Sequence, residues 1–307
     1  MKKTLLNISC ILALLMIIGV PPVAGASRPT VVDKQVPVPA RDVELARKVQ
    51  IKGEKGSGKP PRTTPQAATG ELGEGASGKK FAIVVGISNY PGTANDLEYC
   101  DDDARDMIAA LNGYGFDSIT PIIDEDGSGT LAATRTNVIA AIENLARKVN
   151  PGDEVVFFFS GHGGRGRADD YDSEKIDECI WVHDSGSLVP IWDGELAALF
   201  QHFDTNRIVF IFDSCYAGGM NDLKAAGRIV AMASTENSLS YELSNLGNGE
   251  FTYNMIEQGM ISHLADKYDS IEGYYDVTIE EAWDYAKLNC RYDSITLSDS
   301  FTGDLLP

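Results

Sequence analysis

Two apolar runs in this chain end in groups that can do chemistry. EVVFFF (154–159) leads into Ser160-Gly161-His162-Gly163-Gly164, and RIVFIF (207–212) leads into Asp213-Ser214-Cys215-Tyr216-Ala217-Gly218-Gly219. A lone histidine or cysteine is ordinarily packed or solvated. A pair in which each follows an apolar run, flanked by glycines that let a substrate backbone approach, has the parts of nucleophilic catalysis. A thiol with pKa near ~8.5 is mostly protonated at neutral pH, so it needs a base beside it. His162 could take the Cys215 proton or protonate a leaving amine, while the backbone N–H groups of Gly163 and Cys215 could hold a developing oxyanion.

The elements that must position this pair are legible in the same texture. After Lys80, short apolar runs recur as FAIVV (81–85), ITPII (119–123), the two runs above, and RIVAM (228–232). Runs of this kind are buried on both faces, as in a parallel sheet. Between the second and third, Thr134 is placed to cap a helix carrying Val138, Ile142, Leu145 and Val149 on one face. Strand, helix, strand repeated in this way predicts an α/β fold, a doubly wound and mostly parallel sheet with helices on both faces. Sites in such sheets gather at the carboxyl ends of the strands, which is where His162 and Cys215 fall, on neighbouring strands if the order is sequential.

SGHGG after one strand and DSCYAGG after the next, with Cys215 lying 53 positions after His162, resemble the caspase-fold cysteine peptidases of family C14, most closely the metacaspase-like branch. The likeness runs from FAIVVGISNY and YCDDDARDM through ATRTNVIAAIENL to GNGEFTYNMIEQG and a final strand near Ile295, covering about residues 80–307. The resemblance implies a caspase-like peptidase domain with His162 as base and Cys215 as nucleophile. It further implies an acidic substrate pocket built from Cys100, Asp103, Ser160 and Asp213 for an arginine or lysine before the scissile bond (P1). Caspases that cut after aspartate have glutamine where Asp213 stands. Independently of the family, two carboxylates beside a thiol would hold a cationic side chain through charge-assisted hydrogen bonds and repel an acidic one.

The resemblance also implies calcium, through Asp177, Asp193 and Asp222. A fourth position that is often aspartate in the family is Gly194 here, leaving three hard oxygen ligands with water to complete the shell. DEDGSGTLAATR from Asp124 begins like an EF-hand loop, but Arg135 stands where a bidentate glutamate is required, so it reads as a surface turn.

Outside the domain, Lys2 and Lys3, an apolar stretch from Ile8 to Val20 and small residues at Ala24 and Ala26 predict an export signal over residues 1–26, with an uncleaved membrane anchor as the alternative. Residues 27–79 are rich in Pro, Gly and Lys and read as a linker or pro-segment. Cys10 lies in the signal, and Cys100, Cys179, Cys215 and Cys290 have neither a disulfide-framework nor a metal-ligand spacing, so at least one thiol is free to react. The formal charge of −19 divides unevenly: residues 27–79 hold 10 Lys and Arg against 6 Asp and Glu, whereas residues 80–307 hold 14 against 39. An acidic body makes nucleic acid and anionic membranes poor partners and cationic peptides good ones. The linker itself offers Arg41, Arg47, Lys48 and Arg62, followed by Lys79 and Lys80, as tethered basic P1 candidates, and so is expected to occupy the cleft as an inhibitor and be cut there. Three other readings stay open: the same dyad cutting after asparagine, as legumain-like relatives do, a non-catalytic module binding cationic peptides, and transfer of the acyl group to an amine instead of water.

Overall fold

EVVFFFS, from Glu154 to Ser160, is buried at every position. A strand with no polar face needs apolar cover on both sides, and its alternate side chains supply two different cores. Phe157 and Phe159 join Ile83, Val85, Phe210 and Phe212 in one, whereas Val156 and Phe158 join Ala82, Val84, Val209 and Ile211 in the other.

The computed structural model describes residues 40–52, 66–124, 131–168, 174–267 and 276–307, and from Ala40 onward these belong to one compact unit. In chain order the strands are β1 (Arg41–Ala46), β2 (Val49–Ile51), β3 (Lys80–Ile87), β4 (Ser118–Asp124), β5 (Glu154–Ser160), β6 (Gly163–Arg167), β7 (Asp177–Asp184), β8 (Ser187–Trp192), β9 (Ile208–Asp213), β10 (Arg228–Met232), β11 (Tyr241–Leu243), β12 (Asn248–Gly249) and β13 (Thr296–Asp299). The helices are α1 (Cys100–Gly113), α2 (Arg135–Ala146), α3 (Asp193–Phe200), α4 (Glu250–Thr252), which continues as a π-helix over Tyr253–Ile261, and α5 (Ile279–Asn289).

Six strands form the central sheet in the order β13-β10-β9-β5-β3-β4, all parallel except β13, which is antiparallel to β10. The apolar faces of α2 and α3 cover one side, and those of α1 and α5 cover the other. The expected doubly wound sheet is therefore present, with each predicted run inside a strand except for Arg207, which precedes β9 by one residue. Thr134 caps α2 as expected, its hydroxyl accepting from Asn137 N–H at 3.1 Å.

The described residues before Lys80 are more ordered than their composition predicts. β1 pairs antiparallel with β6 in a four-stranded sheet, β1-β6-β7-β8, and β2 pairs parallel with β11. Downstream, the backbone N–H groups of Thr69 and Gly70 donate to the Asp304 carboxylate. Pro and Gly content reports weak local preference, and here partners distant in sequence overrule it. The proposed signal, Arg62 and residues 125–130 of the EF-hand-like loop lie outside the described residues. Among the described residues no helix is long and apolar enough to cross a membrane.

Candidate active site

β5 and β9 are neighbours, and Ser160 lies opposite Asp213 in their register. The two polar segments therefore leave the sheet side by side. A Cβ on Gly163 would collide with the carbonyl oxygen of Cys215, so only glycine lets these two backbones touch. Tyr216, immediately after the cysteine, is held at φ 58°, a left-handed conformation that turns the chain sharply back. Its N–H donates to Ser238 O at 3.0 Å.

His162 and Cys215 are both buried. The Asn95 carbonyl accepts from His162 Nε2 at 2.8 Å, which places the ring proton on Nε2 and the lone pair on Nδ1. Nδ1 has no hydrogen-bond partner among the described residues. Tyr90 packs on the imidazole with ring centroids 4.7 Å apart, and its hydroxyl accepts from His162 N–H at 2.9 Å while donating to Trp181 O at 3.1 Å. Burial pushes the His162 pKa down to about 4, against the Asn95 contact and with help from Lys48. Burial likewise pushes the Cys215 thiol up to about 12, although Ser240 N–H donates to its sulfur at 3.2 Å and Lys48 also favours the thiolate. As it stands, the pair rests as thiol and neutral imidazole.

The four pocket residues read from the sequence come together around a cation supplied by the chain itself. Lys48 Nζ lies 2.7 Å from Asp213 Oδ1, 3.7 Å from Asp103 Oδ2 and 3.0 Å from Ser160 Oγ. Ser160 Oγ donates a hydrogen bond to Asp103 Oδ2 at 2.6 Å. Asp213 also accepts from Ser240 Oγ at 2.8 Å and from Thr252 N and Oγ1 at 3.1 and 2.7 Å, whereas Asp103 accepts from Gly249 N at 2.8 Å. Burial alone would raise the Asp213 carboxyl, but Lys48 and these donors hold it below its ordinary value. Asp103, first through burial and with the Asp213 charge adding to it, sits well above the usual range despite Lys48. Burial opposes the Lys48 charge, yet the surrounding acids outweigh it and raise its pKa.

Cys100 forms the pocket wall at the start of α1. Its thiol donates to Glu242 Oε1 at 3.5 Å, and the same carboxylate accepts the N–H groups of Tyr99 and Glu98. Glu242 thus caps a helix whose own N-cap residue, Tyr99, makes no side-chain cap bond, and it ties α1 to β11. Sequence reading missed Glu242, because a glutamate that caps a helix more than 140 positions away leaves no local signal. Glu250 and Asp293 were missed for the same reason. Glu250 accepts the N–H groups of Arg291, Tyr292 and Asp293 at 2.7–2.8 Å, and Asp293 Oδ1 accepts Tyr241 N–H at 3.0 Å, so the two carry β11 from below.

Asp193 and Asp222 share a cluster in which ligand oxygens lie within 4.8 Å of one another, but the third member is Glu174, not Asp177. Asp177 Oδ2 accepts Ala168 N–H at 2.7 Å, while its buried Oδ1 has no hydrogen-bond partner among the described residues. Three hard carboxylates are a donor set that suits calcium.

With this geometry in view, the likenesses to known proteins fall into place. Residues 79–224 match the metacaspase peptidase C14 domain. The chain is similar to metacaspase-1 of Meyerozyma guilliermondii, 33% identical over 153 residues, which is 48% of this chain and 37% of that protein. It is also similar to metacaspase-4 of Arabidopsis thaliana, 36% identical over 149 residues, or 47% of this chain and 34% of the relative. The chain thus matches little more than a third of these relatives' length. A crystal structure of a Geobacter sulfurreducens protein shares the fold, with a TM-score of 0.51 and 22% identity over 72% of this chain and 93% of the other. Fold and site together define a caspase-fold protein. More narrowly, it is metacaspase-like over residues 79–224, the part that matches the C14 peptidase domain.

Proposed function

We propose that the protein is a cysteine endopeptidase that hydrolyses peptide bonds after lysine or arginine. The observation that carries this reading is Lys48 itself: a fully buried ammonium between Asp213 and Asp103, two positions downstream of Ala46, which packs on Cys215. A pocket that neutralises a buried lysine in cis is built for the same charge in trans.

In the mechanism that follows, His162 Nδ1 removes the Cys215 proton and the sulfur attacks the P1 carbonyl. The N–H groups of Gly163 and Cys215 stabilise the oxyanion, and the imidazolium returns its proton to the leaving nitrogen. Water, activated by the same His162, then releases the acyl group from sulfur. The segment from Arg41 to Ile51, here called the strap, covers this machinery and acts as a cis inhibitor. Calcium, if bound, would be held by Glu174, Asp193 and Asp222 and would supply a positive charge in an acidic region. The apolar leader supports export.

The test is hydrolysis of peptides differing only at P1 (Arg, Lys, Asn, Asp), with calcium or chelator, using Cys215→Ala as control. Cleavage of Arg and Lys peptides alone, absent from the variant, is expected. Preference for Asn would move the reading to a legumain-like specificity. Binding of basic peptides without hydrolysis by either protein would make it a binding module.

A further inference from the structure

Lys48 sits in the pocket as a P1 residue would, but the chain around it runs the wrong way. Cleavage of the Lys48–Val49 bond requires the Lys48 carbonyl beneath Cys215, with its oxygen on the Gly163 side and the Val49 nitrogen offered to His162 for protonation. Residues after the scissile bond must then leave past His162 and Gly163, and residues before it must run in the opposite direction.

The strap does the reverse. The residues that lie along the His162–Gly163 side precede Lys48: Ala46 is in register with Gly163, Leu45 with Gly164 and Glu44 with Arg165, while Ala46 packs on Cys215. The residues after Lys48 depart along β11, Val49 opposite Tyr241, Gln50 opposite Glu242 and Ile51 opposite Leu243, in parallel. Val49 N–H, the nitrogen that would have to leave, donates to Ser240 O at 3.0 Å. Arg47 is drawn to the same side as the histidine, its guanidinium donating to Asn95 Oδ1 at 2.8 Å while the Asn95 carbonyl takes His162 Nε2. A substrate with its lysine in this pocket and its leaving group towards His162 would lie antiparallel to β11.

We infer that the strap is a reversed-polarity pseudosubstrate: it delivers a lysine to the pocket while withholding its own bond from Cys215, and the enzyme is switched on by strap displacement without cleavage at Lys48–Val49. The inference rests on the proposed cysteine peptidase with a basic P1 pocket. Its physical basis is that side-chain recognition and backbone direction are separable. Asp213, Asp103 and Ser160 read only the ammonium, and β11 can pair with a strand in either direction.

Val49→Pro in the full chain separates displacement from cutting. Proline removes the N–H that donates to Ser240 and weakens the β2 pairing, and it also turns the Lys48–49 bond into a tertiary amide with a poor leaving group for this attack. Displacement predicts that this variant hydrolyses an Arg-P1 reporter several-fold faster than wild type, with residues 48 and 49 still joined. Activation by cutting predicts a variant that stays silent. A second measurement, independent of how the variant folds, is the intact mass of the wild-type chain during reporter turnover. Retention of the Lys48–Val49 bond is expected, and appearance of a Val49 N-terminus in step with activity overturns the inference. If neither protein turns over any Arg or Lys reporter, the peptidase reading fails and the inference falls with it; reporter turnover accompanied by a Val49 terminus refutes the polarity argument alone.

Discussion

Lys48 Nζ and Asp213 Oδ1 are 2.7 Å apart, and neither side chain reaches solvent. A buried pair of this kind is weak evidence of net stabilisation, but removing one partner leaves the other uncompensated at a cost of about 3–5 kcal/mol. In Lys48→Ala the closed state would hold Asp213 beside Asp103 with no cation between them. The three-residue β2 ladder, at about 1 kcal/mol net per hydrogen bond, does not match that cost. The strap is therefore expected to lift at its β2 end, and hydrogen exchange at residues 47–51 should accelerate while amides in β5 and β9 keep their protection. Unchanged protection of the strap would contradict the view that Lys48 holds it down.

The pH behaviour of the thiol follows from the same closure. Burial leads in raising Cys215 to about 12 and in lowering His162 to about 4, so both shifts keep the proton on sulfur. At pH 7 only about one part in 10⁵ of the resting chain would be thiolate, and alkylation should rise about tenfold per pH unit through pH 9 without levelling. When the strap lifts, water reaches the sulfur and the curve should level at a lower pH. Iodoacetamide labelling of Cys215, followed by mass spectrometry on wild type and Lys48→Ala, reads both curves. A wild-type inflection near the ordinary thiol value would show that the resting sulfur is not closed off.

In the proposed peptidase Asp213 would set the charge preference by direct contact, as it holds Lys48 here, and asparagine preserves its size while removing the charge. A hydrogen bond to a charged partner contributes about 1.5–3 kcal/mol. Asp213→Asn should therefore lower kcat/KM for an arginine P1 peptide by about 10- to 100-fold and spare the isosteric citrulline peptide. The ratio between the two substrates is the quantity to follow, since a general loss of folding would depress both together.

How much of this was written locally explains what the sequence reveals. IVFIFD announces a buried strand because every residue is apolar until the tip, and HGG and CYAGG mark their sheet edge because glycine is needed where Gly163 meets Cys215. Ser160 and Asp213 were legible because they occupy strand ends that the pattern already located, whereas Asp103, on α1, came only with the family resemblance. Which of several basic residues would enter the pocket was not legible: Arg41, Arg47 and Lys48 differ little as local sequence, and the choice depends on how β1 and β2 register against β6 and β11. Backbone polarity within the cleft is a tertiary property in the same sense. Asp177 and Glu174 lie three positions apart, and only the path of the chain decides that Glu174 joins Asp193 and Asp222.

The groove depends on a carboxylate that touches no substrate. Glu250 gathers three successive N–H groups, from Arg291 at 2.8 Å and from Tyr292 and Asp293 at 2.7 Å, and Asp293 passes the support to Tyr241 N–H at the start of β11. Removing the carboxylate strands three inward donors, so Glu250→Ala should cost about 3 kcal/mol, less than three independent charge-assisted bonds because the loop can relax. Glu250→Gln keeps one acceptor oxygen and should recover about half of that. Urea unfolding of both variants supplies the stabilities. A positioning role predicts more than lost stability: at temperatures where Glu250→Gln is fully folded, KM for an arginine peptide should rise while kcat changes little, because in the proposed binding mode β11 would pair with the substrate and take no part in proton transfer. A fall in kcat at constant KM would place Glu250 nearer the chemistry than its contacts do.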